Sequence, residues 1–145
     1  MLLTGRLRAP QQKRDPLGNT RQQVHTGVAT RTYEELLAAQ QAMNKQTLSA
    51  LRSHGLTPES EVRLDFTYLA PSAAAAEALA AFLTQETDYE AAARRSGGLL
   101  ARSWGVTGKT QPTAISESIL DEWVDWMITA GLERGCTFDG WGTSV

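Results

Sequence analysis

One cysteine, Cys136, and two histidines, His25 and His54, are the side chains of this 145-residue chain best suited to nucleophilic or metal chemistry. A thiol attacks only when a neighbouring base or a depressed pKa makes it a thiolate, and no base lies close to Cys136 in sequence. It reads instead as a small apolar side chain ahead of a final strand. His54 falls at the end of a predicted helix, where its ring suits the terminal carbonyls. No His, Cys, Asp or Glu spacing resembles a metal-ligand set. The stretch GVTGKT, Gly105 to Thr110, imitates a phosphate-binding loop. Its two glycines stand too close together for that pattern, and Pro112 interrupts the helix that should follow. No catalytic residue, cofactor or metal is therefore expected.

Two other groups carry recognition chemistry. Glu117, Asp121, Glu122 and Asp125 decorate one predicted helix. They form either a solvated surface or a docking patch for an arginine-rich segment. The second group is Phe138-Asp139-Gly140-Trp141-Gly142-Thr143, close to the carboxy terminus. Chain ends tend to fray, so a large ring between two glycines there needs a use. Trp141 either covers a helix–sheet junction or, with Asp139, enters a partner interface, where tryptophan is enriched. No spacing argument brings Asp139 near Asp65.

Charge separates the chain into two parts. Residues 1–32 hold six basic side chains against one acid, a balance of +5 within a net charge of −2. Residues 33–145 hold 8 basic and 15 acidic residues and so carry −7. That body expects a basic macromolecular partner and disfavours direct nucleic-acid binding, which relies on Lys and Arg at phosphates. The hydrophobic fraction of 41% fits a globular domain. No apolar run reaches membrane-spanning length, and MLLTGRLRAP lacks the apolar region of an export signal. A cytoplasmic location is the expectation.

The elements that must position these groups follow from periodicity. Residues 1–32 mix Pro, Gly, Gln and Arg without a period and read as a basic arm. Thr32 and Glu35 form a capping box for a helix over 33–53, which Gly55 stops. Its apolar stripe (Tyr33, Leu36, Leu37, Met43, Leu48, Leu51) is broken by Gln40 and Asn44. Strict alternation over Glu61 to Leu69 predicts a strand. An alanine-rich helix follows from Pro71 and Ser72 to about Thr84. DYEAAARR suits helix by composition and strand by alternation, and Ser96-Gly97-Gly98 suits a hairpin turn. LLARSWGVT returns as a strand with Leu100, Arg102, Trp104 and Val106 on one side. Thr113 is placed to cap a last helix with Ile115, Ile119, Leu120, Trp123, Met127 and Ala130 on its inner face. Gly135 ends that helix, and CTFDGWGT forms the final strand. A helix followed by β-α-β-β-α-β predicts an α+β, ferredoxin-like sandwich, with two helices on one face of a four-stranded antiparallel sheet.

These residues also carry a likeness. The ending LERGCTFDGWGT resembles the signature of the regulator of ribonuclease E activity B family, in which a helix leads through glycine to an aromatic residue and then Asp-Gly-Trp-Gly-Thr. The upstream order is similar too, with LRSHGL closing a leading helix, the strand VRLDFTYL, an alanine-rich helix and a strand bearing Trp104. The likeness spans roughly 43–143. It implies a ferredoxin-like fold without catalytic residues, acting as a ribonuclease E inhibitor that binds the enzyme's non-catalytic scaffold. This chain departs from the pattern in its basic arm and in stopping at Val145, without an acidic tail. A ferredoxin-like small-ligand domain is the alternative. An RNA-recognition motif shares the element order, but LLARSWGVT lacks that module's aromatic strand signature.

Overall fold

The computed structural model describes residues 32–96 and 103–143. Its elements in chain order are α1 (Tyr33–Ser53), β1 (Asp65–Ala70), α2 (Ala73–Glu86), β2 (Glu90–Ser96), β3 (Ser103–Lys109), α3 (Glu117–Leu132) and β4 (Thr137–Gly142). Among the described residues the architecture is α+β, with three helices and one four-stranded antiparallel sheet ordered β2-β3-β1-β4. The basic arm before Thr32, the glycine pair Gly97-Gly98, and Leu100 and Arg102 lie outside the described residues.

Local chemistry explains most boundaries. Thr32 Oγ1 accepts from the Glu35 N–H at 3.1 Å, and Glu35 Oε1 accepts from the Thr32 N–H at 3.0 Å, so the capping box forms. At the other end, His54 Nδ1 lies 2.9 Å from the Ala50 carbonyl, and Gly55 turns the chain at φ 109°. Ser72 caps α2 through the Ala75 N–H. In DYEAAARR alternation prevails over alanine's helix propensity, because the segment pairs with β3 without interruption from Glu90 to Ser96.

Three expectations need correction. First, β1 begins at Asp65, not Glu61. Val62 instead forms an isolated bridge to Thr113, with both N–H···O contacts at 2.9 Å. Second, that bridge occupies Thr113, so Ser116 caps α3 through the Ile119 N–H. Third, Asn44 does not interrupt the buried face of α1 but belongs to it, fully buried beside Leu36, Leu48 and Leu51. Met43, read as part of the stripe, is 51% exposed.

Alternation puts Phe66 and Tyr68 of β1 into the core, where they meet α3. Phe66 packs edge-on against Trp123 at 6.4 Å between ring centroids, and the Tyr68 hydroxyl donates to the Met127 carbonyl at 2.8 Å. Phe138 of β4 joins them, 5.2 Å from Tyr68 and 6.1 Å from Trp123. Trp123 has no exposed surface, and its Nε1 donates to the Tyr89 hydroxyl at 3.0 Å, so the buried indole is satisfied. Phe82 of α2 stacks on Trp126 of α3 at 5.9 Å, joining the two helices. GVTGKT belongs to β3 and its exit. A Cβ at Gly108 would sit 2.4 Å from the Phe66 ring and 2.2 Å from the Glu90 carbonyl oxygen, so packing accounts for that glycine.

Candidate functional site

The terminal motif is built into β4, an edge strand paired with β1. Phe138 lies opposite Tyr68 and Trp141 opposite Phe66, while the register shifts between Thr67 and Tyr68. Asp139 is the extra residue of that bulge, and Gly140 follows at φ 134°, a conformation that disfavours other residues. The bulge keeps both Phe138 and Trp141 on the core side although only two residues separate them. Trp141 meets Trp123 edge-on at 6.4 Å. Just past the strand, Thr143 Oγ1 donates to the Arg63 carbonyl at 2.6 Å and anchors the end.

Asn44 connects the motif to the helices. Its Oδ1 accepts from Trp141 Nε1 at 2.7 Å, and its Nδ2 donates to Asp121 Oδ1 at 2.9 Å. Both halves of one buried amide are used, joining β4, α1 and α3. Nothing in the sequence pairs these three residues. The only available signal was a polar residue at a stripe position, and periodicity reads that as an interruption.

The four acids of α3 do not stand together as one free surface. Asp121 accepts from Asn44, and Asp125 Oδ1 accepts from the Tyr33 hydroxyl at 2.6 Å. Glu117 lies 3.7 Å from Lys45 Nζ in an exposed ion pair. All three therefore face α1 and help hold it. Glu122 and Asp139 are exposed and make no hydrogen bond or ion pair with the described residues.

Beside β4 a groove of about 330 Å³ lies between α1 and the β1–β4 edge of the sheet. Gln40, Met43 and Thr47 of α1 form one wall; Asp65 and Thr67 of β1 and Asp139 to Gly142 of β4 form the rest. Antiparallel pairing thus places Asp65 and Asp139 on one groove, a juxtaposition that sequence spacing did not reveal. Their situations differ. Asp65 Oδ1 holds Lys109 Nζ at 2.5 Å, whereas the Asp139 carboxylate is unpaired among the described residues. Asp139 and Trp141 are the two expected partner-binding residues that this groove brings together.

Cys136 is fully buried, its Sγ 3.7 Å from the Ala75 carbonyl, and burial pushes its thiol up to about 11. A thiol held protonated in this way is a poor nucleophile. Among the described residues no group of three or more His, Cys, Asp or Glu side chains could hold a metal ion, and no helix is long and apolar enough to cross a membrane. Neither a scan of protein-family models nor a search of curated proteins finds a match to this chain.

Proposed function

We propose that this chain is a non-enzymatic regulator that binds another protein, in the manner implied by its likeness to the regulator of ribonuclease E activity B family. Its partner is a basic stretch of a ribonuclease E-type scaffold, for which it competes with the scaffold's usual ligands. The observation that carries this reading is the construction of Phe138–Thr143. One side of the motif secures Phe138 and Trp141 against α3 and α1, while the other leaves the Asp139 carboxylate exposed and unpaired among the described residues. Such a motif is both anchor and contact surface. The strand order β2-β3-β1-β4, with every pairing antiparallel, supports a ferredoxin-like arrangement of β-α-β-β-α-β behind the leading helix α1. The −7 balance of residues 33–145 supports a basic partner. The rival small-ligand reading calls for a deep apolar pocket, and the groove beside β4 is open to solvent.

The test is a titration of the full chain into the isolated scaffold region of ribonuclease E, with RNA cleavage by the intact enzyme followed in parallel. Binding should weaken steeply as salt rises, because exposed charges are screened within about 10 Å at 0.1 M. Cleavage should slow only when the scaffold is present. Absence of binding at low salt overturns the proposal.

A further inference from the structure

We propose that the groove between α1 and β4 seats an arginine side chain of a basic peptide, whose backbone crosses β4 at Gly142. The inference rests on the protein-binding reading above and names its contact site.

Two independent observations support it. The first is Gly142 itself. Gly142 is the last residue of β4, and glycine in a strand often marks a bulge, a tight bend or the close approach of another backbone. Gly140 has its reason in the bulge and its φ of 134°. Gly142 has neither: its φ is outside the left-handed region, and a Cβ there would meet nothing within 4 Å. The fold leaves open space over this glycine at the groove wall. A peptide backbone passing over β4 uses that space and requires the missing side chain.

The second observation is the chemistry of the walls. Met43, 51% exposed, and the half-buried Trp141 both line the groove, so a thioether and an indole offer apolar surface there. Asp139 supplies a carboxylate without a counterion among the described residues, while Lys109 already neutralises Asp65. An apolar stem ending in a delocalised cation complements that set. Arginine fits better than lysine because its guanidinium is less strongly hydrated and lies against aromatic rings.

The experiment measures binding of a fluorescent arginine–glycine repeat peptide to the full chain by polarisation, alongside binding to the ribonuclease E scaffold. Asp139→Asn and Gly142→Val should each weaken peptide affinity by roughly tenfold, about the scale of one lost charged or sterically blocked contact. Both should melt at or above the wild-type temperature, because Asp139 pairs with nothing among the described residues and Gly142 has room. Glu77→Gln, on the exposed side of α2, should bind like wild type. The inference is overturned if wild type does not bind the peptide, or if both groove variants bind within about twofold of it. If those variants lose the peptide while wild type ignores the scaffold, the groove stands and the ribonuclease E reading falls. If wild type binds the scaffold and the variants match it, the reverse holds.

Discussion

At the scale of single residues, Asn44 matters more than its type suggests. A buried amide whose two ends are both used is stable only while both partners remain, because a stranded polar group costs about 1–3 kcal/mol. Asn44→Ala strands the Trp141 N–H and the Asp121 carboxylate together, and should lower stability by about 2–4 kcal/mol in urea unfolding. Asn44→Asp is the more informative variant. It keeps an acceptor for Trp141 Nε1 but sets a second carboxylate where Nδ2 now lies 2.9 Å from Asp121. Two like charges at that distance raise the pKa of one carboxyl, so the folded state binds the extra proton more tightly than the unfolded chain does. Stability of this variant should therefore rise as pH falls from about 7 towards 4.5, opposite to the usual acid trend of paired carboxylates. A flat or falling profile would show that the two side chains part. For Trp141, half-buried against Trp123, truncation to alanine should cost about 3 kcal/mol, the lower end of the range for large aromatics.

At the scale of elements, the strands depend on where side chains are missing as well as where they are present. Phe66 lies across Gly108 on the neighbouring strand, and the Tyr68 ring lies against Gly131 of α3, where a Cβ would come within 2.6 Å. Gly108→Ala should destabilise the chain by about 1–3 kcal/mol, the range for overpacking, and a matched thermal melt of Gly142→Ala should show no such loss. These facts also mark what the sequence could and could not express. Alternation at Phe66 and Tyr68, the Thr32–Glu35 box and the inner face of α3 are local patterns that produced their elements, although Ile115 is buried ahead of α3 rather than on it. Thr113 and Val62 were misread because an isolated bridge between distant segments has no period. Helix spacing shows that Asp121 and Asp125 share a side, not that Asn44 and Tyr33 of α1 hydrogen-bond to them there. The groove, likewise, exists only after β1 and β4 pair. Asp65 and Asp139 meet through that pairing, and Gly142 becomes informative only once its surroundings are known to be empty.

At the scale of the whole molecule, the interior is built around groups that must keep their protons. Burial raises the Tyr68 hydroxyl well above its ordinary value, with further upward pressure from Tyr89 and Cys136. Tyr89 is raised chiefly by burial, and the Cys136 thiol is pushed from 9.0 up to about 11. All three are neutral when protonated. Their pKa values in the folded state lie above those of the unfolded chain, so above the unfolded values the folded state binds more protons. Their contribution to stability is complete below the unfolded values and is lost as pH rises through the folded ones. The thiol sets the start of this window, since its unfolded value is the lowest of the three. Urea midpoints should hold steady up to about pH 8.5 and then fall progressively towards pH 11. Cys136→Ala carries a constant penalty for the small cavity it leaves, but it removes the earliest part of the decline, so its midpoint should stay level for about one further pH unit. A wild-type midpoint that stays level across this range would mean that water reaches Cys136 and Tyr68. The aromatic layer that holds β4, and with it the groove, would then be looser than the packing of Phe66, Tyr68, Trp123 and Phe138 implies.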